Sequence, residues 1–183
     1  MKQSRRHLRT FIASFTAALA LSAPAAADIT GSTIVQVSPV GALGLGQYVP
    51  LRLRVSNASP DFNWLTRIDL RLPACCTVAA MDYDDSPSNG HWIFDMFGVP
   101  GSEVAYVDGA GDEWGEIPAG DFGYLDLLVH VGADCPSAAR LWYDLYGDSF
   151  GAEPRVLLNQ FIMLTFDEVP AEAMSWSAVK SRY

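Results

Sequence analysis

Apolar and polar residues alternate along several stretches of this chain, and the clearest stretch, 114–131, begins with a Pro/Gly turn and ends ahead of Cys135. Its apolar positions are Leu125, Leu127, Val129 and Val131, and the positions between them are Asp126, Leu128 and His130. A period of two residues is typical of a β-strand that buries one face. We therefore predict a central strand here, with the other strands paired around it.

Strands are also predicted on both sides of this segment, from similar alternation at 49–55 and 64–72 and from short apolar runs between turn residues elsewhere. The predicted strands lie at 32–38, 49–55, 64–72, 91–97, 103–107, 140–146 and 156–166, with the glycine-rich stretch 41–46 as a bulged or edge segment. Three Asp residues, Pro87 and the Asn89-Gly90 pair predict a long loop over 81–90. Turn signals recur about every 8 to 15 residues with no helical period between them, which indicates an all-β antiparallel sandwich of about eight or nine strands.

The composition changes in the last segment, 167–183. Asp167 and Glu168 precede Pro170, which suits a first helical turn, and Trp176 and Tyr183 fall on one helical face. We predict a short C-terminal helix of about three turns. A frayed tail and an export or attachment signal are the alternatives for this segment.

The first 27 residues predict a secretory signal peptide. A basic head is followed by an uncharged apolar run, 11–23, and by the small residues 25–27. The run is shorter than the roughly 20 residues that span a bilayer, so we expect cleavage after Ala27 and no transmembrane segment in the mature chain. The paired Arg5-Arg6 leaves the general and the twin-arginine export routes both open. The expected location is periplasmic, cell-surface or extracellular, in a bacterium.

The remaining residues form a single predicted β-sandwich domain, 28–166, followed by the tail, 167–183. The whole chain has a net charge of −9. Removal of the signal takes four of the 12 basic residues and none of the 21 acidic ones, so the mature net charge becomes −13. Such a surface repels phosphate backbones and anionic lipids. We therefore expect no nucleic-acid partner, and favour cations or neutral ligands.

Three cysteines in an exported chain predict one disulfide and one free thiol. Cys135 follows the central strand and is expected in the bridge. If Val78 faces the core, strand parity turns Cys76 inward and Cys75 outward, which favours a Cys76–Cys135 bridge. Cys75–Cys135 is the alternative, because Pro73 interrupts the ladder. The vicinal pair also allows a redox role, whereas the spacing of cysteines and histidines does not predict a zinc site.

Two acidic loops are candidate calcium sites, because calcium prefers carboxylate oxygens on flexible loops. Their residues are Asp82, Asp84 and Asp85 with Asn89 in the first, and Asp108, Asp112 and Glu113 in the second. Neither loop has EF-hand spacing, and a solvated loop without metal is the alternative for both. Calcium is the only cofactor that the sequence suggests.

One short motif resembles a catalytic one. Residues 147–151 read Gly-Asp-Ser-Phe-Gly, which matches the nucleophile elbow of serine hydrolases at Ser149, but Pro154 follows where a helix should begin. After signal removal His91 and His130 are the remaining histidines, and a nucleophile with its base cannot be assembled from them. We therefore predict no catalytic residues.

Large aromatic side chains are concentrated in the second half of the chain. They include Trp92, Trp114, Trp142, Tyr143 and Tyr146. We expect most of them in the core, because sandwiches bury their large aromatics. Two or more that were exposed and coplanar would instead form a sugar-binding platform.

Three short motifs resemble bacterial cell-surface domains of the Ig-like and fibronectin-III-like families. They are V-S-N-A-S at 55–59, R-L-P at 71–73, and I-P-A-G-D at 117–121 ahead of a strand. In those families the motifs mark an early turn, a strand end and a hairpin before a core strand. The resemblance implies an Ig-like sandwich with an adhesive, scaffold or spacer role and no catalytic residues.

The sequence thus favours a secreted or cell-surface, non-enzymatic Ig-like domain with a structural or adhesive role. A protein or glycan ligand at the cell surface is the expected partner. A carbohydrate-binding module using exposed aromatics is the alternative, and a small serine hydrolase at Ser149 is the remote one.

Overall fold

The computed structural model describes residues 29–60, 62–99, 102–111, 115–148 and 155–167. This part of the chain contains ten β-strands in two sheets that share one hydrophobic core. The predicted signal peptide lies outside the described residues, as does the predicted C-terminal helix beyond Asp167. Within the described ranges, no helix has the length and apolar character that a membrane crossing requires.

Most strands lie close to the predicted ranges. They are β1 (Thr33–Ser38), β2 (Leu43–Gly44), β3 (Tyr48–Ser56), β4 (Leu65–Arg71), β5 (Cys76–Asp84), β6 (Phe94–Val99), β7 (Glu103–Asp108), β8 (Phe122–Val131), β9 (Ala138–Gly147) and β10 (Val156–Asp167).

The first sheet has four strands in the order β1-β3-β8-β5, and all its pairs are antiparallel. β8 is the predicted central strand, and it pairs with β3 on one side and β5 on the other. Leu125, Leu127, Val129 and Val131 are fully buried, whereas the residues between them are partly exposed. The period-two prediction for this strand is therefore confirmed.

The second sheet has six strands in the order β2-β10-β9-β4-β7-β6. Its pairs are antiparallel except that between β2 and β10, which is parallel and joins Leu43 and Gly44 to Phe166 and Asp167. The glycine-rich stretch, predicted as a bulged or edge segment, supplies this edge strand β2. β10 has a register shift between Leu157 and Gln160.

Three details of the predicted strand pattern are corrected by the structure. Residues 81–84 continue β5 instead of beginning a loop, because Met81–Asp84 pair with β8 after a bulge between Val78 and Ala80. β6 begins at Phe94, three residues later than predicted, and it includes Gly98. Asp167, assigned to the predicted helix, is the last residue of β10. Ten strands therefore replace the eight or nine predicted.

The core contains one large aromatic residue whose space is provided by a glycine. Trp92 is fully buried, and its ring lies against Gly123 in β8. A Cβ atom at position 123 would lie 2.2 Å from the Trp92 ring, far closer than real contacts allow. The glycine in the central strand thus makes room for the indole.

Two of the motifs that resemble Ig-like domains meet in the folded chain. The side-chain amide of Asn57 donates to the carbonyl oxygen of Ile117 at 2.8 Å. The backbone amide of Asn57 donates to the carbonyl oxygen of Asp121 at 2.9 Å. Gly120 donates back to the Asn57 carbonyl oxygen at 2.8 Å. The early turn and the hairpin before the core strand therefore form one hydrogen-bonded unit.

Candidate functional site

The structure pairs Cys75 with Cys135, which corrects the favoured Cys76–Cys135 bridge. Strand parity correctly predicted that Cys76 points into the core, since this residue is fully buried at the start of β5. The error lay in assuming that the inward cysteine forms the bridge. Cys75 precedes the strand in a turn closed by a hydrogen bond from Cys76 to Pro73, so the pleat does not fix its direction and it reaches the loop after β8.

Cys76 is a free, buried thiol beside the bridge. Its sulfur lies 3.9 Å from that of Cys135 and 4.0 Å from that of Cys75. Burial raises the pKa of this thiol to about 11, so at neutral pH it is protonated and a poor nucleophile. Because it is almost equidistant from both bridged sulfurs, it lies beside the S–S bond and is not in line for displacement. The native geometry therefore does not favour a redox role for the vicinal pair.

The first acidic cluster is divided among separate local interactions. Asp84 forms an ion pair with Arg52 and also accepts a hydrogen bond from the Ser86 amide at 3.0 Å. Asp85 accepts from the Trp92 amide and contacts His91, each at 2.9 Å. These carboxylates thus hold the β5–β6 connection. Among the described residues, the only set of three or more potential metal ligands in mutual reach is the three cysteines.

The second acidic cluster is described only in part. Asp108 accepts hydrogen bonds from the amides of Ala110 and Gly111, at 2.9 and 3.3 Å, which is a turn of the Asx type. Asp112 and Glu113 lie outside the described residues. Calcium binding at either cluster stays a prediction.

The candidate catalytic motif is also described only in part, because Ser149 lies outside the described residues. Asp148, its second residue, accepts a hydrogen bond from the Trp64 amide at 3.2 Å, and its own amide donates to the Trp64 carbonyl oxygen at 2.9 Å. Asp148 therefore ties the end of β9 to the start of β4. His130 lies on the outer face of β8, with its ring 4.9 Å from that of Tyr48.

The aromatic residues named above divide into core and surface. Trp92 and Tyr143 are buried, so they cannot contact a ligand, whereas Trp142 and Tyr146 lie partly exposed on the outer face of β9. Trp114 lies outside the described residues.

Trp142 belongs to an aromatic surface that we define by Arg140, Trp142, Phe161 and Met163. The rings of Trp142 and Phe161 meet edge to face, with centroids 5.3 Å apart and planes at 63°. The Arg140 guanidinium lies over both, 5.1 Å from the Trp142 ring and 4.5 Å from the Phe161 ring. Phe161 is 47% exposed and Met163 49% exposed. Strand pairing builds this surface, since Arg140 lies opposite Met163 and Trp142 opposite Phe161.

A cleft of about 610 Å³ adjoins the aromatic surface. It lies between the turn before β5, the loop after β8 and the start of β9. Its lining residues are Pro73, Ala74, Cys75, Asp134, Pro136, Ala139, Arg140 and Trp142. The Cys75–Cys135 bridge joins two of these segments, so it holds the walls of the cleft together.

Asp144 anchors the other end of the aromatic surface. Its carboxylate pairs with Arg71, with 3.1 Å between Nη2 and Oδ1, and Oδ1 accepts a hydrogen bond from the Asn159 amide at 2.6 Å. The Arg71 guanidinium lowers the pKa of Asp144, and its effect outweighs that of burial. Asn159 has a positive φ of 57° within the irregular part of β10. Asp144 therefore holds the bulge of β10 against β9 and β4.

Sequence reasoning identified Trp142 but not its neighbours Arg140, Phe161 and Met163. Their partnership depends on the register between β9 and β10, which the chain order does not show. The available signal was the segment 156–165, which has no charged residue or proline in a strongly acidic chain.

Comparison with known proteins gives a likeness of fold. No family model matches the chain, and no curated protein matches it either. Among solved structures, an uncharacterised protein from Nocardia farcinica with an immunoglobulin-like fold is 16% identical, with a TM-score of 0.46, over 74% of this chain and 96% of that one.

Two cohesin modules also resemble this chain in fold. One, from a family 33 glycoside hydrolase of Clostridium perfringens, is 9% identical with a TM-score of 0.49, over 74% of this chain and 96% of that one. The other, the sixth cohesin of scaffoldin B from Acetivibrio cellulolyticus, is 12% identical with a TM-score of 0.49, over 75% of this chain and 100% of that one. An Ig-like β-sandwich is the fold class that the sequence predicts, and the Nocardia protein has an immunoglobulin-like fold.

Proposed function

We propose that this chain is an exported, non-enzymatic Ig-like domain that binds a protein ligand through the aromatic surface and its adjoining cleft. The observation that carries the proposal is the combination of half-exposed Phe161 and Met163, partly exposed Trp142, and a cleft beside them. Aromatic residues, Met and Arg are the types enriched in the cores of protein interfaces.

The composition of this surface also favours a protein over a sugar. A sugar ring stacks on a flat aromatic platform, but the planes of Trp142 and Phe161 meet at 63° and Arg140 covers part of both rings. Such a surface instead suits an apolar side chain that enters the cleft, with Trp142 as the anchor.

The similar cohesin of scaffoldin B was solved in complex with a dockerin. That partner belongs to that protein, and the present proposal rests on the chemistry of the aromatic surface alone.

Site-specific photo-crosslinking in cells that export the protein tests the proposal. A photoreactive residue replaces Asp134, which is exposed at the cleft, and the matched control replaces Tyr48, which is exposed on the outer face of the other sheet. We expect adducts with another protein from position 134 and not from position 48. Trp142→Ala should lower their yield about tenfold or more, as loss of an interface anchor does.

Two outcomes contradict the proposal. Equal adduct yields from positions 134 and 48 would show that the cleft has no special role. Glycan-array binding that depends on Trp142, together with no protein adduct, would favour the carbohydrate-binding alternative.

A further inference from the structure

One edge of β10 has no hydrogen-bonded strand along most of its length within the described part of the chain. β9 pairs along one side of β10, whereas β2 reaches the other side only at Phe166 and Asp167. The residues Val156–Thr165 therefore border an open edge, which we call the β10 edge.

Hydrogen bonds identify which peptide groups face the β10 edge. The Phe166 amide donates to the carbonyl oxygen of Ser137, on the β9 side, and the carbonyl oxygen of Asp167 accepts from Leu45 on the opposite side. Successive residues of a strand direct their peptide groups to opposite edges. In the regular part of β10 after the bulge, Phe161, Met163 and Thr165 therefore direct N–H and C=O groups toward the open edge.

The β10 edge lacks two of the features that usually prevent strand pairing, and its bulge is confined to 157–160, so the part from Phe161 to Thr165 is regular. Exposed edges commonly carry charged residues or proline, but 156–165 contains neither, whereas Arg155 and Asp167 flank it. Phe161 and Met163 each expose about half of an apolar side chain beside it. In a chain with 21 acidic residues, this uncharged segment is a place where a second copy can approach without repulsion between facing side chains.

We infer that the β10 edge pairs with the same edge of a second copy of this chain, antiparallel about a twofold axis at Ile162. The limits of the regular edge fix this register. At one end the strand departs from regular pairing at Asn159, and at the other β2 occupies the edge from Phe166 onward. Ile162 lies midway between Asn159 and Thr165.

The inferred register places complementary groups opposite each other. Phe161 faces the partner's Met163, an aromatic and a thioether that attract each other, and the symmetry repeats this contact. Both residues direct their peptide groups to the edge, so they exchange hydrogen bonds across it. Ile162 faces its own symmetry mate on the inner face, and the two six-stranded sheets become one continuous sheet.

Sedimentation equilibrium of the mature chain over a range of protein concentrations tests the inference. We expect a reversible monomer–dimer equilibrium. Met163→Lys should weaken association about tenfold or more, because both symmetric contacts are lost and like charges enter the interface. Phe97→Lys is the matched control, since Phe97 is an exposed apolar residue on β6, at the opposite edge of the same sheet. It should leave association unchanged.

Disulfide cross-linking tests the register itself. Facing residues at the axis lie within disulfide reach, so Ile162→Cys should give a covalent dimer on mild oxidation. Gln160→Cys is the control, because position 160 faces the partner's Leu164 and lies too far from its own mate. Peptide mapping should find the new bridge at position 162 and the Cys75–Cys135 bridge intact.

The inference concerns self-association and does not depend on the protein ligand proposed above. A chain that stays monomeric at every concentration would overturn it. Equal effects of Met163→Lys and Phe97→Lys, or cross-linking at position 160 and not at 162, would overturn it as well.

Discussion

The outer faces of the two sheets differ in whether their side chains have partners within the protein. On the four-stranded sheet, Arg52 is only 3% exposed, because it pairs with Asp84 and Asp126 and lies 4.2 Å from the centre of the Tyr124 ring. On the six-stranded sheet, the aromatic surface leaves Phe161 and Met163 half exposed beside a strand edge that pairs with no other described strand before Phe166.

The difference shows that the density of charge does not indicate which face of this chain leaves side chains available for contact. In the first acidic cluster, Asp84 is occupied by its ion pair with Arg52, and Asp85 by its contacts with Trp92 and His91. The segment with no charge at all presents apolar side chains and peptide groups to the surroundings. We call the outer face of the four-stranded sheet the closed face, because its charged groups are paired within the protein. We call the outer face of the six-stranded sheet the open face, because it leaves apolar side chains exposed.

The largest expected effect concerns the bridge that holds the cleft of the open face. Cys135→Ser removes a cross-link between residues 60 positions apart, which should lower the free energy of unfolding by about 4 kcal/mol. Cys76→Ser retains the bridge and should lower the free energy of unfolding by only about 1 to 2 kcal/mol, because a hydroxyl is buried in place of the thiol. Urea denaturation of the oxidised proteins measures both changes. Equal losses would contradict the Cys75–Cys135 pairing.

The next effect tests the closed face. Arg52→Ala leaves Asp84 and Asp126 without their shared cation in a largely buried position, which should cost about 3 kcal/mol. Arg54→Ala is the matched control, because Arg54 is two residues further along β3 and its guanidinium carbon lies 4.0 Å from the centre of the Phe122 ring. It should cost about 1 kcal/mol. Urea denaturation at neutral pH measures both, and a smaller effect at Arg52 than at Arg54 would contradict a closed, ion-paired face.

A smaller, pH-dependent effect is expected at Asp144, which anchors the bulge of β10. The folded pKa of this carboxyl lies below its ordinary value of 3.8, mainly through the hydrogen bond from Arg71. Its contribution to stability is therefore fully present well above pH 4 and is lost as the pH falls through the lowered, folded pKa. Asp144→Asn should cost about 1 to 2 kcal/mol at pH 7 and much less near pH 2. A loss that is the same at both pH values would contradict this role of the Asp144 carboxylate.

The smallest expected effect on stability belongs to the aromatic surface itself. Trp142→Ala should lower the free energy of unfolding by about 1 kcal/mol, because the ring is partly exposed and contributes little to the core. Thermal denaturation measures the change. A loss as large as that for a buried tryptophan would mean that Trp142 supports the fold and would remove it as a binding anchor.

The sequence predicts the fold well where one face of a strand is buried, because alternation then follows directly from the pleat. β8 and β3 are clear examples. It fails at residues 81–84, where acidic side chains look like a loop but lie on β5, since Asp84 is held by Arg52 across the sheet. It fails similarly at Cys75, because this residue lies in a turn, where the alternation of a strand does not fix the direction of the side chain. The aromatic surface needs the β9–β10 register, which only the folded chain provides.

The openness of the β10 edge is tested most directly by amide hydrogen exchange, resolved residue by residue by NMR at two protein concentrations. At low concentration the amides of Ile162 and Leu164, bonded to β9, should exchange slowly, and those of Phe161 and Met163 should exchange quickly. At high concentration the latter two should slow as the edge pairs with a second copy. Slow exchange of all four amides at the lowest concentration would show that the edge is already covered, and would contradict the account.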